Sequence, residues 1–425
     1  MMQIIENKKL NEKAYIETLD NGLKIIIVPK KEVNKKYAII GIKFGSIDNC
    51  FINPKDNKKI EIPDGVAHFL EHKMFEQSNG TNSLDTLSAL GVNANAYTTN
   101  DHTAYLIECT DNFNEAFEEL LNYVQNPYFT KKNVEKEKGI ISQEITMYDD
   151  DPTSKVYLNI LECLYKYNPV KIDIAGTVDS VNSINKDILY KCYNTFYNPS
   201  NMVLSLCGDF EPYEMIEKIK KMIVPKETFK DIKRIYPEEP KDISKKVIEQ
   251  KMAVSIPIFV IGIKDVPEYK SEYVRKSIAL EILCNIIVGN SSELYKRLYS
   301  NGDILSEFNF EYESAENYAH ILLAGQSEEP KKVFEEFIKE IKKLKKNGIN
   351  EEVFNRIKKK VYGGYITDYN DVSDIAKMFM IDCLNDVDTL NSLEEFDTIN
   401  LDYINQILNE VFIEKNTAIS IISPN

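Results

Sequence analysis

His68, Glu71 and His72 are the residues whose types and spacing point most directly to chemistry. They stand in the run Gly65-Val66-Ala67-His68-Phe69-Leu70-Glu71-His72-Lys73-Met74-Phe75. The chain has 4 histidines, and two of them fall in this His-x-x-Glu-His pattern. Composition alone gives on the order of 0.01 such matches in a chain of this make-up. On a helix, residues at i, i+3 and i+4 share a face, so both imidazoles and the carboxylate would point the same way. Two imidazoles one turn apart can hold a zinc ion, and a carboxylate beside them can take a proton from a water on that metal. A catalytic zinc commonly has three protein ligands and an open fourth position, so a third donor is expected elsewhere.

The best candidate region for that donor is Asn133-Val134-Glu135-Lys136-Glu137-Lys138-Gly139-Ile140-Ile141-Ser142-Gln143-Glu144-Ile145. Glu137 and Glu144 are two helical turns apart and would share a face. Val134, Ile140, Ile141 and Ile145 supply the apolar positions that would anchor such a helix. A Glu-rich helix is by itself commonly a solvated face, and the residues alone leave both readings open.

Further motifs carry a resemblance. Gly91-Val92-Asn93-Ala94-Asn95-Ala96-Tyr97-Thr98, Asp101-His102-Thr103-Ala104-Tyr105, Ala175-Gly176-Thr177, Tyr197-Asn198-Pro199-Ser200-Asn201-Met202 and Cys207-Gly208-Asp209 accompany the histidine motif. With them, the sequence resembles the pitrilysin (insulinase) family of zinc metallopeptidases, the inverzincins that include mitochondrial processing peptidase. The likeness is good over residues 20–215 and looser beyond. Glu-His-Lys-Met-Phe-Glu and Gln-Glu-Ile-Thr-Met-Tyr-Asp-Asp-Asp-Pro look closest to a bacterial branch labelled as associated with elongation-factor-P modification. Family members follow His-x-x-Glu-His with a Glu-x(6)-Glu pair whose second Glu is the third ligand. Glu144 lies 72 positions after His72, somewhat short of the commonest spacing.

The resemblance implies one Zn²⁺ per chain, held by His68, His72 and Glu144. It implies Glu71 as the general base, and Glu137 as a second catalytic-site carboxylate that orients a histidine or the water. It places Asn95, Ala96, Tyr97 and Thr98 on an edge strand that binds a substrate backbone as an added strand. His102 falls where the family places no metal. The implied function is hydrolysis of short or unfolded peptides by a zinc endopeptidase. The alternative is a zinc-binding but non-cleaving scaffold or peptide-binding subunit of a heterodimer. Members with a complete site in one polypeptide add an Arg-x(6)-Tyr pair from a later domain. Here Arg297 is present as a substrate-binding candidate, but Ile304 stands seven residues on, and Tyr295 and Tyr299 read as helix-packing aromatics. The chain has about half the length of single-chain relatives. That implies a partner, a zinc-less homologous subunit or else a second copy of this chain.

The rest of the chain must supply the elements that position these residues. With 425 residues, 43% of them hydrophobic, it can bury sizeable cores and should hold two or more domains. A net charge of −15 with interspersed signs argues against nucleic acid as a partner. No apolar run has the length of a membrane span, and the N-terminus lacks the apolar core of a signal peptide. Seven cysteines without Cys-x-x-Cys read as reduced thiols, hence a cytoplasmic protein.

Phe117-Glu118-Glu119-Leu120-Leu121 has an echo in Phe334-Glu335-Glu336-Phe337-Ile338, at an offset near half the chain. In the second copy Arg356 falls near the place of Glu137, and Gly363-Gly364 near that of Glu144. The expectation is a zinc-bearing domain over 1–224, a proline- and charge-rich linker over 225–251, and a homologous domain without zinc ligands over 252–425. Strands are predicted at 23–28, 37–44, 202–207 and 259–263, and helices at 271–288 and 331–346. The fold class is α+β: two homologous domains, each a mostly antiparallel sheet packed with helices.

Overall fold

A computed structural model describes residues 2–229 and 231–425. Lys230, inside the expected linker, lies outside the described residues. The fold is α+β, built from two sheets with helices packed on them.

The first sheet contains β1 (Gln3–Asn7), β2 (Glu12–Thr18), β3 (Lys24–Pro29), β4 (Lys36–Ile42), β7 (Asn93–Thr98), β8 (Thr103–Cys109) and β9 (Met202–Gly208), in the order β1-β2-β3-β9-β4-β8-β7. A small ribbon of β5 (Cys50–Ile52) and β6 (Lys59–Glu61) stands apart from it. The central strands are runs of β-branched and aliphatic residues, such as Ile25, Ile26, Ile27 and Val28, and every residue of β9 is buried. The second sheet contains β10 (Val247–Met252), β11 (Ile258–Asp265), β12 (Asn309–Ser314), β13 (Ala319–Gln326) and β14 (Thr417–Pro424), ordered β10-β14-β11-β13-β12.

The two sheets repeat one topology. β3 pairs parallel with β9, and β9, β4, β8 and β7 then follow antiparallel. β10 pairs parallel with β14, and β14, β11, β13 and β12 follow in the same way. Chain order within each set is also the same, so the duplication faintly visible in sequence is explicit in the strand pairing. β7 and β12 are the corresponding outer strands.

The compact units are not contiguous in sequence. One comprises the chain up to Ile145 with Asp173–Tyr236 and Ile366–Asn391; the other comprises Thr146–Ile172, Pro237–Tyr365 and Ser392–Asn425. A simple division at residues 225–251 misses this exchange of helices. In the first unit the helix Val372–Leu384 packs on β4 and β9, with Met380 and Leu384 against Gly41. In the second unit the helix Pro152–Leu164 packs on β11 and β14, with Ile160 and Leu164 against Gly262. Residues 247–251, expected as linker, belong to β10. Among the described residues no helix is long and apolar enough to cross a membrane.

The first four helices are α1 (Val66–Met74), α2 (Ser83–Ala89), α3 (Phe113–Gln125) and α4 (Lys131–Asp149), and α1 lies against β7 and β8. α1 opens at Gly65, whose φ of 88° is left-handed. A Cβ there would lie 2.3 Å from the Ala175 carbonyl oxygen, and one on Gly176 would lie 2.6 Å from that of Asp64. The Ala-Gly-Thr landmark is thus a backbone seat for the start of α1. Gly65→Ala combines a left-handed alanine with a backbone clash and should destabilise the fold by about 2–4 kcal/mol. Denaturant titration at wild-type stability would contradict this packing account.

Candidate metal centre

α1 has two characters. Val66, Ala67, Phe69, Leu70 and Met74 are buried in the core, which fixes the helix axially and rotationally. His68, Glu71 and His72 are turned to the other side and only half-buried. α4 begins with a reciprocal cap: the Asn133 amide donates to Thr130 Oγ1 (3.1 Å) and the Thr130 amide to Asn133 Oδ1 (2.7 Å). Its buried stripe is Val134, Glu137, Ile141 and Ile145. Ile140, expected among the anchors, is instead 43% exposed, and Glu137 occupies the covered position. A carboxylate can take that place because it finds cationic and imidazole partners there.

The two helices bring one donor atom each from His68, His72 and Glu144 within 4.8 Å of one another. His72 Nε2 is 3.6 Å from Glu144 Oε2, and His68 Nε2 is 3.8 Å from Glu144 Oε1. Ligands of tetrahedral zinc lie about 3.3–3.5 Å apart, so these donors need only a small contraction to hold that ion. The set is two imidazoles and a carboxylate, the hydrolytic type of zinc site. Among the described residues it is the one such group of three.

Electrostatics suit the same purpose. Burial, with the neighbouring His72 charge, pushes His68 down to about 3, so it is a neutral donor. Burial also pulls His72 down, but the hydrogen bond to Glu137 and the charges of Glu71 and Glu144 outweigh it, and His72 sits above the ordinary imidazole value. His72 Nδ1 is 3.1 Å from Glu137 Oε1, which leaves Nε2 for a metal. For Glu137 itself, burial is outweighed by His72 and Lys73, so its carboxyl is held below the usual range. Glu71 is raised by burial, and the Thr98 hydroxyl, donating to Oε2 at 2.8 Å, partly opposes that rise.

A sequence profile described as "Insulinase (Peptidase family M16)" matches residues 55–178, and one described as "Peptidase M16 inactive domain" matches 183–361. The chain is 37% identical over 415 residues to the uncharacterized zinc protease YmfH of Bacillus subtilis (strain 168), covering 96% of each. The chain belongs to the insulinase family, peptidase family M16. The crystal structure of an M16-like peptidase from Alicyclobacillus acidocaldarius superposes with a TM-score of 0.94 at 32% identity, covering 99% of this chain and 100% of that one. Pitrilysin matches at a TM-score of 0.78 and 16% identity, covering 100% of this chain and 46% of that one, a likeness of fold.

Against this M16 background the remaining candidates fall into two groups. Asn95, Ala96, Tyr97 and Thr98 lie on β7, the outer strand, next to α1. The Ala96 amide donates to the side chain of Asn95 (2.9 Å) instead of to a neighbouring strand. Arg297 lies in the second unit, where its guanidinium is 3.3 Å from Glu336 and 3.3 Å from Glu340. Ile304 is buried, and Tyr295 and Tyr299 stack on each other at 5.7 Å. His102 Nδ1 is 2.7 Å from Asp101, outside the donor set. Arg356 donates to Ser291 (3.0 Å). Sequence reasoning missed two contacts: the Thr98 hydroxyl on Glu71 and the buried Lys73 on Glu137. The signal for the second was a lysine at an apolar-face position of α1.

Proposed function

We propose that the chain is a zinc-dependent endopeptidase acting on short or unfolded peptides. The observation that carries this reading is the convergence of His68, His72 and Glu144 donors beside a half-buried Glu71 on the same helix. Family membership and relatives named zinc proteases support it. Bound there, zinc would supply Lewis-acid polarisation of a peptide carbonyl and acidify a water molecule. Glu71 accepts the proton as the water oxygen bonds to the carbonyl carbon, and delivers it to the amide nitrogen as the C–N bond breaks. Thr98 holds one Glu71 oxygen, leaving the other for the water. Glu137 fixes the His72 ring and is a positioning residue. The free edge of β7 receives the substrate backbone as an added strand, which suits extended chains of varied sequence. Arg297, already paired with two carboxylates, has no assigned part.

The chain further needs a partner, a zinc-less homologous subunit or else a second copy. Ile304 where complete M16 sites carry a tyrosine, and a fold equivalent to less than half of pitrilysin, support that inference. Seven cysteines without a disulfide among them support a cytoplasmic location.

Metal analysis should give one zinc per chain in the wild type and none after His68→Ala together with Glu144→Ala. Glu71→Gln should keep the zinc and lose turnover by roughly 10²-fold or more. Two equivalents of zinc, or wild-type cleavage by Glu71→Gln, contradicts the assignment. A protein that binds zinc but cleaves nothing in a broad peptide library, with its partner present, is the scaffold instead.

Ala96→Pro removes an amide that takes no part in the β7–β8 ladder, so folding and zinc content should stay near normal while peptide cleavage falls. Unimpaired cleavage removes the edge strand from the mechanism.

The isolated chain should bind zinc but cleave poorly, and the homologous subunit should restore activity. High activity from a strictly monomeric preparation overturns the partner inference.

A further inference from the structure

Lys73 follows His72 directly, yet its side chain has no exposed surface. An ammonium group so placed is costly unless its donors are met. Here Nζ lies 3.1 Å from Glu137 Oε2 and 2.9 Å from Glu76 Oε2. Glu137 turns its other oxygen to His72 Nδ1 at 3.1 Å. The result is a continuous line, Glu76–Lys73–Glu137–His72, which ends on a proposed zinc ligand. Glu76 keeps its side chain at the rim, 29% exposed, while Lys73 and Glu137 are covered, at 0% and 9%, and His72 is 24% exposed.

A carboxylate pinned at one oxygen can rotate about its last bond, and one pinned at both cannot. Without Lys73, Glu137 Oε2 would face a covered environment with no cation, and the carboxylate would turn to find another partner. Two are within its reach: it could take His72 with both oxygens, or swing toward the metal donors. Either change alters the His72 ring angle or adds a competing ligand. The Lys73 charge would also repel an incoming metal cation, but Glu76 lies 2.9 Å away and offsets it.

We propose that Lys73 is a positioning residue of the metal centre, acting through Glu137 to fix the His72 imidazole with Nε2 toward the ion. This rests on the zinc-site reading above and adds to it the residue that sets its geometry. The assignment requires energetic coupling: the effect of Lys73 on zinc must disappear when Glu137 cannot hold the ring.

The test is a double-mutant cycle read as zinc affinity by chelator competition on the full chain, with no need of peptidase activity. Lys73→Met should weaken zinc binding by about 10- to 100-fold, the range of outer-shell changes. Glu137→Gln should weaken it similarly, and Lys73→Met combined with Glu137→Gln should be no worse than Glu137→Gln alone. Lys73→Arg, which keeps a cation against Glu137, should stay within a few-fold of the wild type. If Lys73→Met fails to fold, Glu137→Gln and the double variant still decide: equal affinities support the proposal, and a further loss in the double variant overturns it. Losses that multiply, or wild-type affinity in a folded Lys73→Met, also overturn it. A wild-type chain that takes up no zinc overturns the metal-site reading and this proposal together, which separates the two failures.

Discussion

The hydrogen bond between Glu137 and His72, with the adjoining Lys73–Glu137 ion pair, joins α1 to α4 through residues 65 positions apart in sequence. The metal chemistry proposed for the first unit depends on that joint. α1 supplies two imidazoles and a carboxylate, and α4 supplies the third donor, so an error in their mutual rotation separates the donors. Apolar packing fixes the core side of α1 but makes no directional demand on the face that carries His68, Glu71 and His72. A buried carboxylate between an imidazole and an ammonium is far less tolerant, since each misplacement leaves a charge unmet. The site therefore has a polar locking element behind the donors and an apolar platform beneath them.

The second half of the chain shows what remains when that element is absent. Its five-stranded sheet repeats the order and the parallel pair of β3-β9-β4-β8-β7, and the helix Glu351–Thr367 stands in the place of α4 in chain order. Arg356 and Gly363-Gly364 stand near the places of the two glutamates, and a Cβ on either glycine would meet nothing within 4 Å. The scaffold is thus indifferent to the donor set. Strand pairing and sheet–helix packing carry the fold, and the donor set stands in one copy.

How much of this was legible in the sequence follows from the range over which each signal acts. His68, Glu71 and His72 declared themselves because their geometry is set by a single helix. Four inner strands, β3, β4, β9 and β11, were readable from β-branched runs, with ends displaced by a residue or two. Glu144 needed the family resemblance, since no local rule links it to residues on another helix. The inside and outside of α4 were partly misread: periodicity counts isoleucine as buried and glutamate as exposed, while Glu137 is covered and Ile140 is not. Periodicity sees neither His72 nor Lys73, the partners that make burial of that carboxylate favourable. The exchanged helices were illegible for a related reason. An apolar stripe says that a helix is covered, and says nothing about which sheet covers it.

That exchange bears on how the duplicated gene can be divided. Pro152–Leu164 and Val372–Leu384 each close the sheet of the opposite half. A polypeptide severed between residues 225 and 251 would yield two fragments, each with an uncovered aliphatic sheet face and an orphan amphipathic helix. Such fragments are complementary to each other and adhesive to everything else. The halves are therefore interleaved in the fold, each sheet depending on a helix from the other half of the chain.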